Sequence, residues 1–129
     1  MAKKHKVGDL QLAILRRIWQ RGEASAAEVH GDLLADRGLA PTTIETMLKK
    51  MEAKGVVRHR VDGRRYLYRA TVSEREVAKT MVTEIKDRLF AGDAVALVSH
   101  LLEEHEVDAG ELEELKALIE EHEKTKETR

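Results

Sequence analysis

Three stretches in the first half of the chain repeat apolar residues at helical spacing. In the first stretch Leu10, Ile14 and Ile18 recur every four residues, which places their side chains on one face of a helix. Asp9 lies where a residue caps the start of a helix, and Gly22 lies where a glycine ends one. The pattern therefore predicts a first helix between these two residues.

A second helix is predicted to follow Ser25. Ser25 and Glu28 have the spacing of a capping box, in which each side chain accepts a hydrogen bond from the other residue's backbone N–H. Gly38 marks the end of this helix. Its predicted apolar face comprises Ala26, Val29, Leu33 and Leu34.

A third helix is predicted to begin near Pro41, because a proline in the first helical turn forfeits no hydrogen bond. Thr42 and Glu45 also have capping-box spacing, so the start of this helix stays open by two residues. The helix is expected to end at Gly55. The residues that it is expected to bury are Ile44, Leu48 and Met51, with Met47 alongside.

The period then changes from helical to alternating. Residues 56–61 alternate between apolar and basic side chains, which is the pattern of a strand. Asp62-Gly63 is a strong signal for a hairpin turn, because glycine adopts positive φ without strain. With residues 64–69 as the return strand, we predict a basic ribbon of two strands.

From Ser73 onward the pattern is helical again. Apolar residues repeat every four positions up to Leu89, and residues 94–102 are almost entirely apolar, which suits a helix buried on most sides. Asp108 is placed to cap a last helix. Roughly fifty residues of helix cannot form a stable core alone, so we expect these faces to pack against a second copy of the chain. The expected dimer interface comprises Val77, Met81, Ile85, Leu89, Phe90, Leu97, Leu101, Leu112, Leu115 and Ile119, each with core within one chain as the alternative.

The net charge hides an asymmetry between the two halves. The total is −1, from 23 Lys and Arg against 24 Asp and Glu. Residues 1–70 carry 15 basic and 8 acidic side chains, a balance of +7, whereas residues 71–129 carry 8 basic and 16 acidic ones, a balance of −8. Because long-range electrostatics depend on where charge lies, the first half is suited to a polyanion despite the near-neutral total.

Three short helices followed by a basic ribbon are the parts of a winged helix-turn-helix. We therefore expect a mainly α fold with a small β-wing, and double-stranded DNA as its partner. The expected regions are a basic mobile arm over residues 1–8, a DNA-binding domain over 9–71, a helical dimerisation domain over 72–124 and a frayed tail over 125–129. Candidate DNA contacts are Thr42, Thr43, Thr46, Lys49 and Lys50 on the third helix and Arg60, Arg64 and Arg65 on the wing.

Two runs of sequence resemble the penicillinase-repressor family of BlaI, MecI and CopY regulators. They read GDLQLAILRRIWQRGEASAAEVHGDL and APTTIETMLKKMEAKGVVRHRVDGRRYLYRATVSEREV, and residues 9–78 follow the family pattern almost without gaps. The matching features include the Trp near the end of the first helix, Pro-Thr-Thr at the start of the third, and Gly63-Arg64 in the wing. The resemblance implies a homodimeric transcriptional repressor on a pseudo-palindromic operator, which occludes a promoter until an unknown signal releases it.

The resemblance also implies positions for the DNA-contacting residues, and the chain departs from the family pattern at two points. It implies that Thr43, Thr46 and Lys50 lie on the recognition helix, with the three arginines on the wing. Copper-responsive members carry Cys-x-Cys pairs, and this chain has no cysteine, so sensing of copper by thiolates is excluded. Members that answer β-lactams are cut at an Asn-Phe bond by a membrane-linked sensor protease. The corresponding stretch here is Ser99-His100-Leu101, so that partner has no support from the sequence.

Other classes of function have weaker signals. A winged-helix module that binds only proteins stays open, as does a metal-dependent sensor that uses the histidines. His100 and His105 are five residues apart rather than four, although Glu104 lies four from His100. The chain has no phosphate loop, nucleophile elbow or HExxH run. We therefore expect no enzyme, no catalytic residue, no cofactor and no metal.

The hydropathy of the chain bears on where it acts. No apolar run approaches the ~20 residues of a membrane span, and the start MAKKHKVGD lacks the hydrophobic core of a signal peptide. Without cysteine, no disulfide forms. We expect a cytoplasmic protein that has no membrane partner.

Overall fold

The computed structural model describes residues 7–127, which form six helices and one pair of antiparallel strands. In chain order these are α1 (Asp9–Arg21), α2 (Ala26–Arg37), α3 (Pro41–Lys54), β1 (Val57–Asp62), β2 (Arg65–Ala70), α4 (Glu74–Phe90), α5 (Ala94–Glu104) and α6 (Ala109–Glu127). The prediction of a mainly α fold with a small β-wing is confirmed. No helix within residues 7–127 is long and apolar enough to cross a membrane.

Both ends of the described chain differ from the prediction. Val7, expected in a mobile arm, is buried in the core, and Gly8 is the N-cap of α1. At the other end α6 runs to Glu127, so residues 125–127 are helical rather than frayed. The rest of the expected arm, residues 1–6, and residues 128 and 129 of the expected tail lie outside the described residues.

Helices α1, α2 and α3 share one core. Leu34, expected on the apolar face of α2, is 51% exposed, because it follows the buried Leu33 and therefore lies about 100° further around the helix. Trp19 is partly buried against the core, and its ring N–H donates to the carbonyl of Val72 at 3.0 Å. The fully or nearly fully buried residues of the three helices are Ile14, Leu15, Ile18, Val29, Leu33, Ile44, Leu48 and Met51.

The starts of the three helices follow local chemistry. The capping box of Ser25 and Glu28 forms at the start of α2, as predicted. Helix α3 begins at Pro41 after Ala40, so the alternative start with a Thr42 cap is not used. The predicted Asp9 cap of α1 is wrong, because Gly8 takes that position and Asp9 lies inside the first turn.

The turn of the ribbon lies one residue further along the chain than predicted. Asp62 pairs with Arg65 in the strand ladder, so the turn residues are Gly63 and Arg64 rather than Asp62 and Gly63. Gly63 has a φ of 64° while Arg64 does not have positive φ. Glycine at the first central position is the pattern of a type II′ turn, which fits the twist of a hairpin.

The chain divides into two compact units, the first ending at Ile85 and the second beginning at Lys86. The first unit contains α1–α3, the wing and most of α4. Val72 and Val77 are buried in its core, and Met81 packs against it. The boundary therefore lies further along the chain than the one expected between residues 71 and 72, because the start of α4 completes the core of the winged helix.

Candidate nucleic-acid interface

The outward face of α3 is polar and basic at every turn. Thr42, Thr46 and Lys49 are exposed at helical spacing, and Lys50 is exposed beside them. Thr43, the remaining candidate on this helix, is only half-buried. The opposite face of α3 is buried in the core. The helical period therefore leaves all five candidate side chains of α3 at least partly accessible.

The start of α3 is electrostatically open. Its N-cap is Ala40, which provides no side-chain cap, and its first turn contains no acidic residue. The backbone N–H of Thr43 donates to the Ala40 carbonyl at 3.0 Å, but no side chain accepts a capping hydrogen bond from the N–H groups of this turn. In contrast, Ser25 caps the start of α2 and Glu28 adds a carboxylate there. An uncapped helix start favours an anion through its free N–H groups and its dipole.

The lysines of this face are not neutralised by neighbours. Within residues 7–127, Lys49 and Lys50 have no hydrogen bond or ion pair to a side chain. Glu45 lies one turn before Lys49 and is also exposed. The ammonium groups of Lys49 and Lys50 are therefore accessible to an external anion.

The three candidate arginines of the wing differ in what they contact. Arg64 lies in the turn, is exposed, and has no hydrogen bond or ion pair within the described part of the chain. Arg65 lies 3.4 Å from Asp62 and 3.9 Å from Glu28, which are long contacts on an exposed surface. Arg60 donates from Nε and Nη2 to the two carboxylate oxygens of Glu23, at 2.7 and 2.8 Å. The three arginines therefore have the same charge but differ in how strongly carboxylates already hold them.

A polar and aromatic cluster joins the end of α3 to the wing. His59 Nδ1 donates to the carboxylate of Glu52 at 2.7 Å, since a carboxylate can only accept. The His59 ring stacks on Tyr66 with centroids 4.1 Å apart and lies 5.5 Å from the ring of Tyr68. Burial raises the pKa of the Tyr68 hydroxyl above its ordinary value. The cluster holds the ribbon against the helix that carries the exposed threonines and lysines.

A groove of about 720 Å³ lies where α2, α3 and the wing meet. Both basic and acidic side chains line it, and the acidic ones are Glu28 and Glu45. The backbone N–H of Ser25 holds the pKa of the Glu28 carboxyl below its ordinary value, with help from the Ser25 hydroxyl and Arg21. The hydrogen bond from Arg60 does the same for Glu23. The groove is lined by Ser25, Ala26, Ala27, Glu28, Glu45, Lys49, Arg64, Arg65, Tyr66 and Tyr68.

The second unit carries an apolar groove on its surface. Neither α5 nor α6 contains a buried residue. Between them lies a groove of about 570 Å³ with an almost entirely apolar lining. The lining residues are Val98, Leu102, Leu112, Leu115, Lys116, Leu118, Ile119, His122, Glu123 and Lys126.

The expected dimer residues divide between core and surface. Val77 is 2% exposed within one chain and belongs to the core of the first unit, so its expected place in the interface is wrong and the alternative, core within one chain, holds for it. Met81 packs against the same core. Phe90 and Leu97 are half-buried. The exposed ones are Ile85, Leu89, Leu101, Leu112, Leu115 and Ile119.

Two histidines of the second unit, His100 and His105, lie near other rings. His100 lies 5.7 Å from Phe90 and 6.2 Å from His105, measured between ring centroids. Within residues 7–127, no group of three or more His, Asp and Glu side chains could hold a metal ion. These histidines therefore give no support to the metal-sensor hypothesis.

Comparison with known protein families covers almost the whole chain. The family model described as penicillinase repressor matches residues 7–121, which span both units. The chain belongs to the penicillinase repressor family. The resemblance seen in the sequence is therefore confirmed, and it extends beyond the winged helix into the second unit.

Relatives of this penicillinase-repressor chain match along most of their length. The penicillinase repressor of Bacillus licheniformis is 27% identical over 126 residues, which are 98% of each chain. The transcriptional regulator BlaI of Mycobacterium tuberculosis is 35% identical over 106 residues, covering 80% of this chain and 76% of that protein. The solution structure of the DNA binding domain of the repressor BlaI superposes with a TM-score of 0.52 at 29% identity, covering 59% of this chain and 93% of that domain.

The structure of this penicillinase-repressor family member adds residues that the sequence analysis missed. Glu23, Glu28 and Glu52 contact Arg60, Arg65 and His59 respectively. The sequence carries no signal for the first of these pairs, because Glu23 and Arg60 are 37 positions apart. Glu28 was recognised for its cap alone. These carboxylates connect the wing to the helices that carry it.

Proposed function

We propose that the chain is a sequence-specific DNA-binding transcriptional repressor that acts as a homodimer on a pseudo-palindromic operator. The carrying observation is the outward face of α3, which combines exposed threonines with unpaired lysines. An α-helix fits the major groove of DNA. The matched BlaI structure is a DNA binding domain, which supports the same assignment.

The exposed residues of α3 suit two different kinds of contact. Threonine presents a hydroxyl and a methyl group, which suit base edges in the major groove. We therefore assign base contacts to Thr42, Thr43 and Thr46. Lysine ammonium groups suit phosphates, which position the protein without reading sequence, and we assign that role to Lys49 and Lys50.

The wing provides further phosphate contacts in this proposal. Arg64 has no competing carboxylate among residues 7–127 and lies in the turn, so we assign it the principal contact. Arg65 has only long contacts, at 3.4 and 3.9 Å, which a phosphate with better geometry replaces. Bidentate arginine–phosphate pairs are among the stronger charged hydrogen bonds.

A homodimer provides the symmetry that an operator requires. Two recognition helices related by a two-fold axis reach half-sites about one DNA turn apart, roughly 34–36 Å. The apolar groove of α5 and α6 is the surface that a second copy would cover. Occupation of the operator then occludes a promoter, and the protein acts in the bacterial cytoplasm where the chromosome lies.

The test is selection of binding sites from random duplex DNA, followed by salt titration of the selected duplex. We expect an inverted repeat, and an affinity that falls with salt at a log–log slope of about −0.9 per phosphate contacted. Arg64→Gln should weaken binding to all sequences alike and reduce the slope by about one contact. Thr46→Ala should instead change the preferred base.

The matched control is Arg75→Gln, which removes one exposed positive charge from α4, outside the proposed interface. It should leave both the slope and the base preference unchanged. Recovery of no enriched sequence, together with binding that ignores salt, would contradict DNA binding and favour a module that binds proteins.

A further inference from the structure

Two adjacent contacts attach the wing to the loop between α1 and α2, one through the backbone and one through charge. The backbone N–H of Tyr68 donates to the Ala24 carbonyl at 2.8 Å, and the N–H of Ala24 donates to the Tyr68 carbonyl at 2.9 Å. Glu23 is the residue before Ala24 and accepts both hydrogen bonds from Arg60. The charged contact therefore lies directly beside the backbone contact.

The strand register explains why the two contacts coincide. Arg60 is opposite Leu67 in the ladder, and Leu67 is the neighbour of Tyr68. Leu67 is 6% exposed, so this face of the ribbon is covered at that point. The guanidinium of Arg60 thus connects β1 to the same α1–α2 loop that the backbone of β2 already holds.

The geometry of the pair leaves Arg60 poorly suited to a phosphate. Both ends of its fork that face Glu23 are engaged at short distance, and one carboxylate satisfies them. A phosphate would have to break two charge-assisted hydrogen bonds to gain two. Arg64, in the same wing, has no hydrogen bond within the described chain that a phosphate would have to break.

We infer that Glu23 and Arg60 form a latch that sets the position of the wing for DNA, and that Arg60 is a positioning residue rather than a phosphate contact. The inference rests on the proposed function for its DNA readout. An isolated two-stranded hairpin is only marginally stable, so the angle of the wing depends on what fastens it. The latch adds to the backbone contact of Ala24 with Tyr68 and to the contact of His59 with Glu52, and it is the charged contact that ties the wing to the α1–α2 loop.

The direction in which Glu23→Gln changes DNA affinity distinguishes a positioning role of Arg60 from a phosphate contact. Glu23→Gln removes a negative charge from the basic surface and frees Arg60. If Arg60 contacted phosphate, this variant would bind the selected duplex more tightly, and Arg60→Gln would lower the salt slope by about 0.9. The latch predicts that both variants bind about two- to fivefold more weakly, the range typical of exposed ion pairs, with the slope unchanged.

A double variant and a neighbour complete the set. Combining Glu23→Gln with Arg60→Gln should cost no more than either change alone, because both remove the same contact. Arg58→Gln is the matched control, since Arg58 is exposed on the same face of β1 and has no hydrogen bond or ion pair within residues 7–127. Equal losses for Arg58→Gln and Arg60→Gln would overturn the latch.

A measurement without DNA keeps the latch separate from the proposed function. Amide hydrogen exchange at Ala24 and Tyr68 should accelerate in Glu23→Gln and Arg60→Gln but not in Arg58→Gln, because the backbone contact opens more often. The exchanged pair, Glu23→Arg with Arg60→Glu, should restore protection. Unchanged exchange in both single variants overturns the latch. If exchange is faster in both single variants but the wild-type protein selects and binds no duplex, the latch is retained and the DNA-binding proposal is rejected.

Discussion

At the scale of single residues, a charged side chain is defined by its partners more than by its charge. Arg60 and Arg64 lie four positions apart in one wing and both are exposed. One is held by a carboxylate at 2.7 and 2.8 Å, and the other has no partner in the described chain. From the sequence both arginines are predicted to contact DNA, because their charge and position in the wing are visible there and their folded-state partners are not.

Two glycines offer a test of backbone conformation with opposite signs. Gly55, between α3 and the wing, has a φ of 90°, and a Cβ there would meet no atom within 4 Å. Gly55→Ala should therefore destabilise the protein by about 1–2 kcal/mol through backbone strain alone. Gly31 lies inside α2 with equally open surroundings, so Gly31→Ala should stabilise it by about 0.5–1 kcal/mol. Chemical denaturation measures both, and a shared sign would contradict the argument.

At the scale of elements, local chemistry was readable from the sequence and contacts between elements were not. The start of α2 and the face of α3 were predicted correctly because a capping box and a helical period involve only near neighbours. The hairpin turn moved by one residue, because the pairing of Asp62 with Arg65 depends on the whole ladder. Val77 was assigned to a dimer interface, since an apolar stripe does not say which surface covers it.

The contact between α1 and α2 makes stability depend on pH. Arg21 donates to both oxygens of Asp32, at 2.7 and 2.8 Å, and this hydrogen bond holds the pKa of the Asp32 carboxyl below its ordinary value. A carboxyl whose pKa is lower in the folded state stabilises the fold above its unfolded pKa, about 3.9 for Asp, and loses that contribution as the pH falls through the folded value.

We therefore expect the free energy of unfolding to decrease as the pH is lowered below about 4, and Asp32→Asn to flatten this dependence. Arg21→Gln removes the partner and should flatten it in the same way. Urea denaturation at a series of pH values measures the slope. An Asp32→Asn profile parallel to that of the wild type would show that the contact does not differ between the folded and unfolded states.

At the scale of the whole molecule, opposite charges separate two tasks. The near-neutral total of −1 combines a balance of +7 over residues 1–70 with one of −8 over the rest. The basic part carries the candidate DNA contacts, and the acidic part carries the apolar groove. A phosphate backbone attracts the first and repels the second. The sequence pI of about 6.6 therefore says little about the partner.

The proposed pairing of two chains can be tested on α6. Leu115→Asp and Ile119→Asp each place a charge in the lining of the apolar groove, and burial of an unpaired charge is strongly unfavourable. Sedimentation should show monomers, and binding to the selected duplex should fall steeply.

Ala117→Asp is the matched control for these variants. It adds the same charge to the same helix at an exposed position that does not line the groove, and it should leave the dimer intact. Dimers of unchanged strength in both groove variants would place the interface elsewhere.

The lack of any buried residue in α5 and α6 has a consequence for the life of the protein in a cell. In an unpaired copy this apolar surface is exposed, and segments with few buried contacts open readily and are cut by proteases. Pairing on this surface would therefore lengthen the lifetime of each copy. Dilution at cell division would lower the concentration of the protein and, with it, the fraction of copies that are paired. Each copy would then be degraded faster when the protein is scarce than when it is abundant.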